Sequence, residues 1–212
     1  MGSQVSSHVT PIGLDLQEYN YKKKLPKVSP SFCFIGSLDW MPNTEGMEWV
    51  LEKVWPKVLE QTPQAQLHIA GRNTPAVWLE KTWKNVTIHG EVPDAAAFIQ
   101  AHEIMLVPLF SGSGMRVKIL EGMALGKVVI STSLGLEGIA ARDQKEVLIA
   151  NTVDEFVQAL VYCQTSFEAL PEIGAAAVKF LQEHYSNVRI AARLLERYRQ
   201  LLPQNQKAAL SS

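Results

Sequence analysis

Short apolar runs alternate with amphipathic stretches along most of the chain. Ser31–Gly36 is apolar and predicts a first buried strand. Met47, Val50, Leu51, Val54 and Val58 then recur at helical spacing, with Asn43 or Thr44 able to cap the start. Gln66–Gly71 predicts a second strand, and Thr74–Lys81 a short helix with Pro75 in its first turn. Val86–Gly90 predicts a third strand, and Asp94–Ala101 a helix with an aspartate near its N-terminus. Ile104–Pro108, Val128–Thr132 and a weaker Glu146–Ala150 complete the strands, with a helix over Met115–Leu125. Helices over Val153–Cys163, Glu168–Tyr185 and Asn187–Leu202 close the chain.

Strands and helices alternating at this spacing imply parallel βαβ units. The predicted fold class is α/β, a doubly wound, mostly parallel, Rossmann-like sheet. Such sheets bind ligands at the carboxyl ends of their strands. Those ends here are Gly36, Gly71, Gly90, Pro108 and Thr132. Glycine lets a ligand approach the backbone, but it serves equally as a plain turn residue. Residues 29–204 form the predicted domain, 1–28 an interdomain linker or arm, and 205–212 a flexible tail. Lys22, Lys23, Lys24 and Lys27 in the arm read as a solvated linker, with a phosphate or lipid contact as the alternative. On the last helix Ile190, Leu194, Leu195, Tyr198, Leu201 and Leu202 form an apolar stripe. It packs either on its own sheet or toward a further domain.

Composition narrows the class. The 212 residues suffice for one domain with a real core, and 47% hydrophobic with 19% charged residues fits a globular protein. A formal net charge of −1 gives no general attraction to nucleic acid or anionic membrane, so any anion site is local. No apolar run is long enough to span a bilayer, and Met1–Thr10 lacks a secretory h-region. Cys33 and Cys163 have no ligand-type neighbours and read as small core residues.

The chemistry concentrates in Ser111–Gly126, just after the fourth strand. Gly112 and Gly114, separated by Ser113, open a helix whose first-turn N–H groups and dipole favour an anion. Arg116 and Lys118 place two cations in that turn, which the dipole alone would disfavour. Glu121 lies three residues beyond Lys118 on the same face, where a carboxylate accepts from two vicinal hydroxyls. Alternatively, Lys118 and Glu121 form a simple surface ion pair. Gly126 ends the helix, and Gly122 with Ala124 permits close packing on the sheet. The spacing fits neither a Walker A loop nor GxGxxG, which disfavours the common nicotinamide and flavin sites.

The run Pro108–Val129, including Ser111-Gly112-Ser113-Gly114-Met115-Arg116-Val117-Lys118-Ile119-Leu120-Glu121-Gly122, resembles the donor-site signature of retaining GT-B glycosyltransferases of family four. Further segments resemble the same family in the right order: Thr10–Asp15, Phe34–Leu38, Leu67–Gly71, Val86–Val92 and Ser133–Ile139. The resemblance implies the second of two facing Rossmann-like domains, the one that binds a nucleotide sugar. By resemblance Glu121 would hold the ribose hydroxyls. Gly112, Ser113, Gly114 and Met115 would border the diphosphate or sugar, and Glu91 and Val92 the base, with Gly36 in the first loop. The chain departs from the family in three ways. Ser113 stands where a sugar-contacting glutamate is expected. Asp39–Asn43 lacks the basic pair of that loop, for which Arg72, Arg116 or Lys118 would substitute. The catalytic groups of an acceptor domain are absent.

The expected function is the donor-binding half of a hexosyltransferase-type enzyme, moving a sugar from a UDP- or GDP-sugar to an acceptor hydroxyl with retention. The fragment alone is expected to be inactive. No Asp-x-Asp or His/Cys cluster occurs, so no metal or other cofactor is expected. The expected partners are the donor and an N-terminal acceptor domain, without nucleic acid. The expected location is cytoplasmic, with any membrane contact made by the other domain at the cytoplasmic face. A sugar-nucleotide epimerase of the same fold and a non-enzymatic doubly wound module are the competing classes.

Overall fold

The computed structural model describes residues 9–19, 21 and 29–201. Six strands form one parallel sheet: β1 (Phe32–Ile35), β2 (Leu67–Ala70), β3 (Val86–Gly90), β4 (Ile104–Val107), β5 (Val128–Ser131) and β6 (Leu148–Ile149). Their order is β3-β2-β1-β4-β5-β6. The order reverses between β1 and β4, where an open α/β sheet leaves a crevice at its carboxyl edge.

Strand periodicity explains the two layers of core. Phe32, Phe34, Leu67, Ile69, Ile104, Leu106, Val128 and Ile130 face one buried cluster. Cys33, Ala70, Met105, Val107 and Val129, the alternate residues, face the other. Helices α1 (Met41–Trp49), α2 (Trp55–Gln61) and α6 (Val153–Thr165) contribute Met47, Trp55, Val58 and Phe156 to the first cluster. Helices α4 (Ala95–Ala101), α5 (Val117–Ala124) and α7 (Leu170–His184) contribute Phe98, Ile119, Met123, Ala177 and Leu181 to the second. Both cysteines are buried free thiols, as expected of core residues, and burial pushes the Cys33 thiol up to about 12. No helix among the described residues is long and apolar enough to cross a membrane.

Several predicted boundaries shift for identifiable reasons. Helix α1 starts earlier than expected, with Trp40 at its N-cap and Pro42 in the first turn. Neither Asn43 nor Thr44 caps it. Their side chains instead donate to the carbonyls of Ser37 (2.8 Å) and Leu38 (2.6 Å), tying the helix to the loop after β1. A π-helical segment, Val50–Val54, then joins α1 to α2. Helix α3 (Ala76–Glu80) is shorter than predicted, and Pro75 is its N-cap rather than part of its first turn. Asp94 caps α4 through a 2.9 Å bond from the Ala97 N–H.

Helix α5 begins at Val117, two residues later than the pattern suggests, because the chain before it is held in a glycine loop. It ends as expected at Gly126, whose φ of +68° admits the paired bonds Lys127 N–H to Gly122 C=O (3.0 Å) and Gly126 N–H to Met123 C=O (2.9 Å).

The described part of the N-terminal arm docks on the domain. Leu14 is buried, and its N–H and C=O bond Tyr185 and Asn187 at 2.8 and 3.0 Å. The arm lysines and the 205–212 tail lie outside the described residues. In α8 (Asn187–Leu201) Ile190 is buried, whereas Leu195, Tyr198 and Leu201 are exposed, so most of the stripe does not reach this sheet.

Candidate functional site

The crevice between β1 and β4 brings together side chains far apart in sequence. Asn43 is buried in α1 and leans over the loop that follows β1. Lys118, in the first turn of α5, donates from Nζ to Asn43 Oδ1 at 2.7 Å. Its ammonium also lies 4.7 Å from the centre of the Phe34 ring. Gly36 forms the floor. A β-carbon there would stand 2.8 Å from Asn43 Nδ2 and 3.1 Å from Lys118 Nζ. Burial, and secondarily the charge of Arg116, pushes the Lys118 pKa down to about 7.

The glycine loop crosses the mouth of this crevice. Gly112 and Gly114 take φ values of +93° and +88°, a region that residues with a β-carbon avoid. Arg116 is the N-cap residue of α5 and is buried. Its Nη1 turns back to the carbonyls of Ser113 (2.5 Å) and Gly114, bracing the loop from inside. Its Nε and Nη2 are buried without a protein partner. Trp40 covers the guanidinium at 5.6 Å and stays partly exposed beside Gly112. Buried donors without a partner and a poorly compensated ammonium both cost free energy, and an anion bound here would offset that cost.

Glu121 lies one turn along α5 and is half-buried. It does not pair with Lys118. Tyr19 of the arm donates to it instead, and burial raises the Glu121 pKa against that bond.

The remaining predicted residues are placed less tightly. Ser113 is exposed, and Met115 is half-buried under the loop. Arg72 is exposed in the turn after β2, where its charge helps hold Asp39 below the usual carboxylate range, after Ser37 and the Asp39 backbone. Glu91 is exposed, and Val92 packs against the second core cluster at the end of β3. Trp40, Tyr19 and Glu137 are members of the site that local patterning did not single out, and Asn43 enters it through Lys118 rather than as a helix cap. Among the described residues no cluster of His, Cys, Asp or Glu is arranged to hold a metal ion.

The sequence matches a known family. Residues 29–165 fit the profile described as Glycosyl transferases group 1. The chain belongs to this family. A curated relative, the "Uncharacterized 44.6 kDa protein in cps region" of Klebsiella pneumoniae, is 27% identical over 167 residues, 74% of this chain and 43% of the relative. Sucrose-phosphate synthase from Thermosynechococcus elongatus superposes with a TM-score of 0.70 at 19% identity, over 92% of this chain and 52% of that one. A TarM variant from S. aureus, in complex with Fondaparinux, alpha-GlcNAc-glycerol and UDP, gives 0.69 at 16%, over 84% and 37%. At these identities the structural likeness shows the fold, the Rossmann-like sheet of GT-B glycosyltransferases. The chain spans less than half the length of the curated relative.

Proposed function

We propose that this chain is the donor-binding half of a glycosyltransferase that takes a sugar from a nucleoside-diphosphate sugar. The observation that carries the reading is the cationic crevice at the strand-order reversal. Lys118, Arg116 and Asn43 meet there under a glycine loop, and Gly36, without a side chain, lets Asn43 and Lys118 close on the backbone. Glu121, a turn along the same helix, suits a ribose diol. The UDP in the TarM complex supports a nucleotide at such a site.

Sugar transfer to an acceptor hydroxyl, with retention and without a metal, follows from the same reading. The leaving nucleoside diphosphate gains negative charge as the glycosidic bond breaks. Lys118, Arg116 and the start of α5 would stabilise that charge where it develops. UDP- and GDP-sugars are the donors of choice, and an N-terminal acceptor domain is the partner that completes the active site. The hexosyltransferase type and a cytoplasmic location belong to this reading too.

A thermal-shift screen with UDP-, GDP-, ADP- and dTDP-sugars tests it. Binding to the folded state alone raises the melting temperature by mass action. One base class is expected to stabilise the 212-residue chain without any transfer or hydrolysis. No shift with any donor would overturn donor binding, and transfer by this chain alone would overturn the half-enzyme reading. Epimerisation of the donor by the two-domain protein would move the assignment to a sugar-nucleotide epimerase.

A further inference from the structure

The turn after β5 carries a carboxylate that the glycine loop already uses. Glu137 Oε2 accepts a 2.7 Å hydrogen bond from the Gly114 N–H. Glu137 itself is exposed, but the turn that holds it is anchored on all sides. Leu136 and Ile139 are buried in the second core cluster. The buried Thr132 hydroxyl donates to the Leu109 carbonyl and accepts from the Gly135 N–H at 2.9 Å. Tyr185 donates its hydroxyl proton to the Gly138 carbonyl at 3.0 Å, and its oxygen accepts from the Ala140 N–H at 3.2 Å. Met115 lies against Gly138, where a β-carbon would stand 3.4 Å from Met115 Cε. The loops after β4 and β5 are therefore fixed to each other, and Glu137 stands at their joint.

A carboxylate offers about four acceptor sites on its two oxygens. The Gly114 N–H takes one of them. The charge of Glu137 opposes phosphate, so its remaining acceptors suit a neutral polyol. Paired hydroxyls of a sugar ring fit them, because each O–H donates to one lone pair. A position held by a rigid turn also suits discrimination, since little side-chain freedom is left to lose on binding. Ser113, next to Gly114, provides no carboxylate for that task.

We propose that Glu137 reads the hydroxyl groups of the donor's sugar ring. The inference rests on the donor-binding reading above and adds the residue that selects the sugar.

The test compares a nucleotide with its sugar derivative on the 212-residue chain. Calorimetry with UDP against UDP-glucose, and GDP against GDP-mannose, gives a ratio of dissociation constants that isolates the sugar. In the wild type the sugar derivative is expected to bind about tenfold tighter, the order of one charged hydrogen bond. Glu137→Ala should bring that ratio to about one, with the nucleotide alone bound as tightly as before or more tightly once the opposing charge is gone. Glu137→Gln, which keeps one acceptor oxygen and the Gly114 contact, should give an intermediate ratio and an unchanged melting temperature. Two outcomes would overturn the proposal: a ratio untouched by either substitution, or a wild-type ratio near one for both pairs. If the wild type bound neither nucleotide nor sugar derivative, the donor site itself would fall first.

Discussion

Lys118 Nζ lies 2.7 Å from Asn43 Oδ1, so the helices after β1 and β4 meet through one hydrogen bond across the strand-order reversal. That contact explains why a lysine survives in the first turn of a helix and beside an arginine. Its stem packs near Phe34 and its ammonium has one neutral acceptor, which leaves the charge poorly compensated. Lys118→Met keeps the stem and removes the charge. It should weaken UDP or GDP binding by about tenfold or more, from a charged hydrogen bond worth roughly 1.5–3 kcal/mol. Stability should stay level or rise, because burying an ill-compensated ion costs free energy. Calorimetry and urea unfolding on the same variant check both halves.

The same lysine makes donor binding depend on pH. Its pKa in the free protein is about 7, lowered first by burial and then by Arg116. A bound diphosphate favours the ammonium and raises that pKa. At pH 8 binding should therefore take up a proton, and affinity should fall as pH rises above about 7. Calorimetric enthalpies in buffers of different ionisation enthalpy measure the uptake. Lys118→Met should abolish it. For stability the sign is opposite. A folded pKa below the unfolded value means the unfolded chain binds more protons between the two. This group's contribution thus grows as pH rises from about 7 toward the ordinary lysine range near 10.4.

Tyr19 and Glu121 make a second paired test. The tyrosine hydroxyl donates to the carboxylate that a ribose diol would use, so arm and nucleotide compete for one group. Glu121→Ala should lower affinity for a ribonucleotide severalfold, on the order of 1 kcal/mol, and erase its preference over the 2′-deoxy form. Tyr19→Phe should instead raise ribonucleotide affinity, because Glu121 no longer has to give up a partner. Unchanged affinity in both variants would place the ribose elsewhere.

Local pattern reveals most of this fold and only part of its site. All six strands were legible because alternate residues such as Phe32, Phe34 and Cys33 serve two buried faces, which forces continuous apolar runs. The glycine loop and Glu121 were legible because they sit on one helix start. Asn43 was legible only as a candidate cap. Its acceptance of the Lys118 ammonium depends on a contact 75 residues away in sequence. Arg116 reads from sequence as a cation beside an anion site, but not as a brace of the glycine loop. Trp40 and the loop carbonyls draw it inward, a choice made by tertiary packing. Glu137 lies in the family-like segment Ser133–Ile139, but its contact to Gly114 joins loops from adjacent strands and has no periodic signature in either.

A cluster of imidazoles away from the crevice predicts how the domain responds to acid. His68 Nδ1 and His89 Nε2 are 3.0 Å apart, and the His102 ring stacks on His68 at 4.4 Å. Burial, then the neighbouring rings and Lys127, against the opposing pull of Glu103, lowers the His102 pKa to about 4. His68 is lowered too, by burial and then by His89. His68 and His102 thus have folded pKa values below the unfolded value near 6.5. The unfolded chain binds more protons between these limits, so stability is full above about pH 6.5 and drains as pH falls toward 4. The lowered carboxylates Glu146 and Asp39 act in a different window, below their ordinary values. Melting temperatures between pH 7.5 and 4.5 should therefore fall before those carboxylates titrate. His102→Gln, which retains a polar partner for the Ser31 hydroxyl now 2.9 Å from His102 Nδ1, should flatten that fall. A fall of equal slope in the variant would transfer the acid sensitivity to other groups.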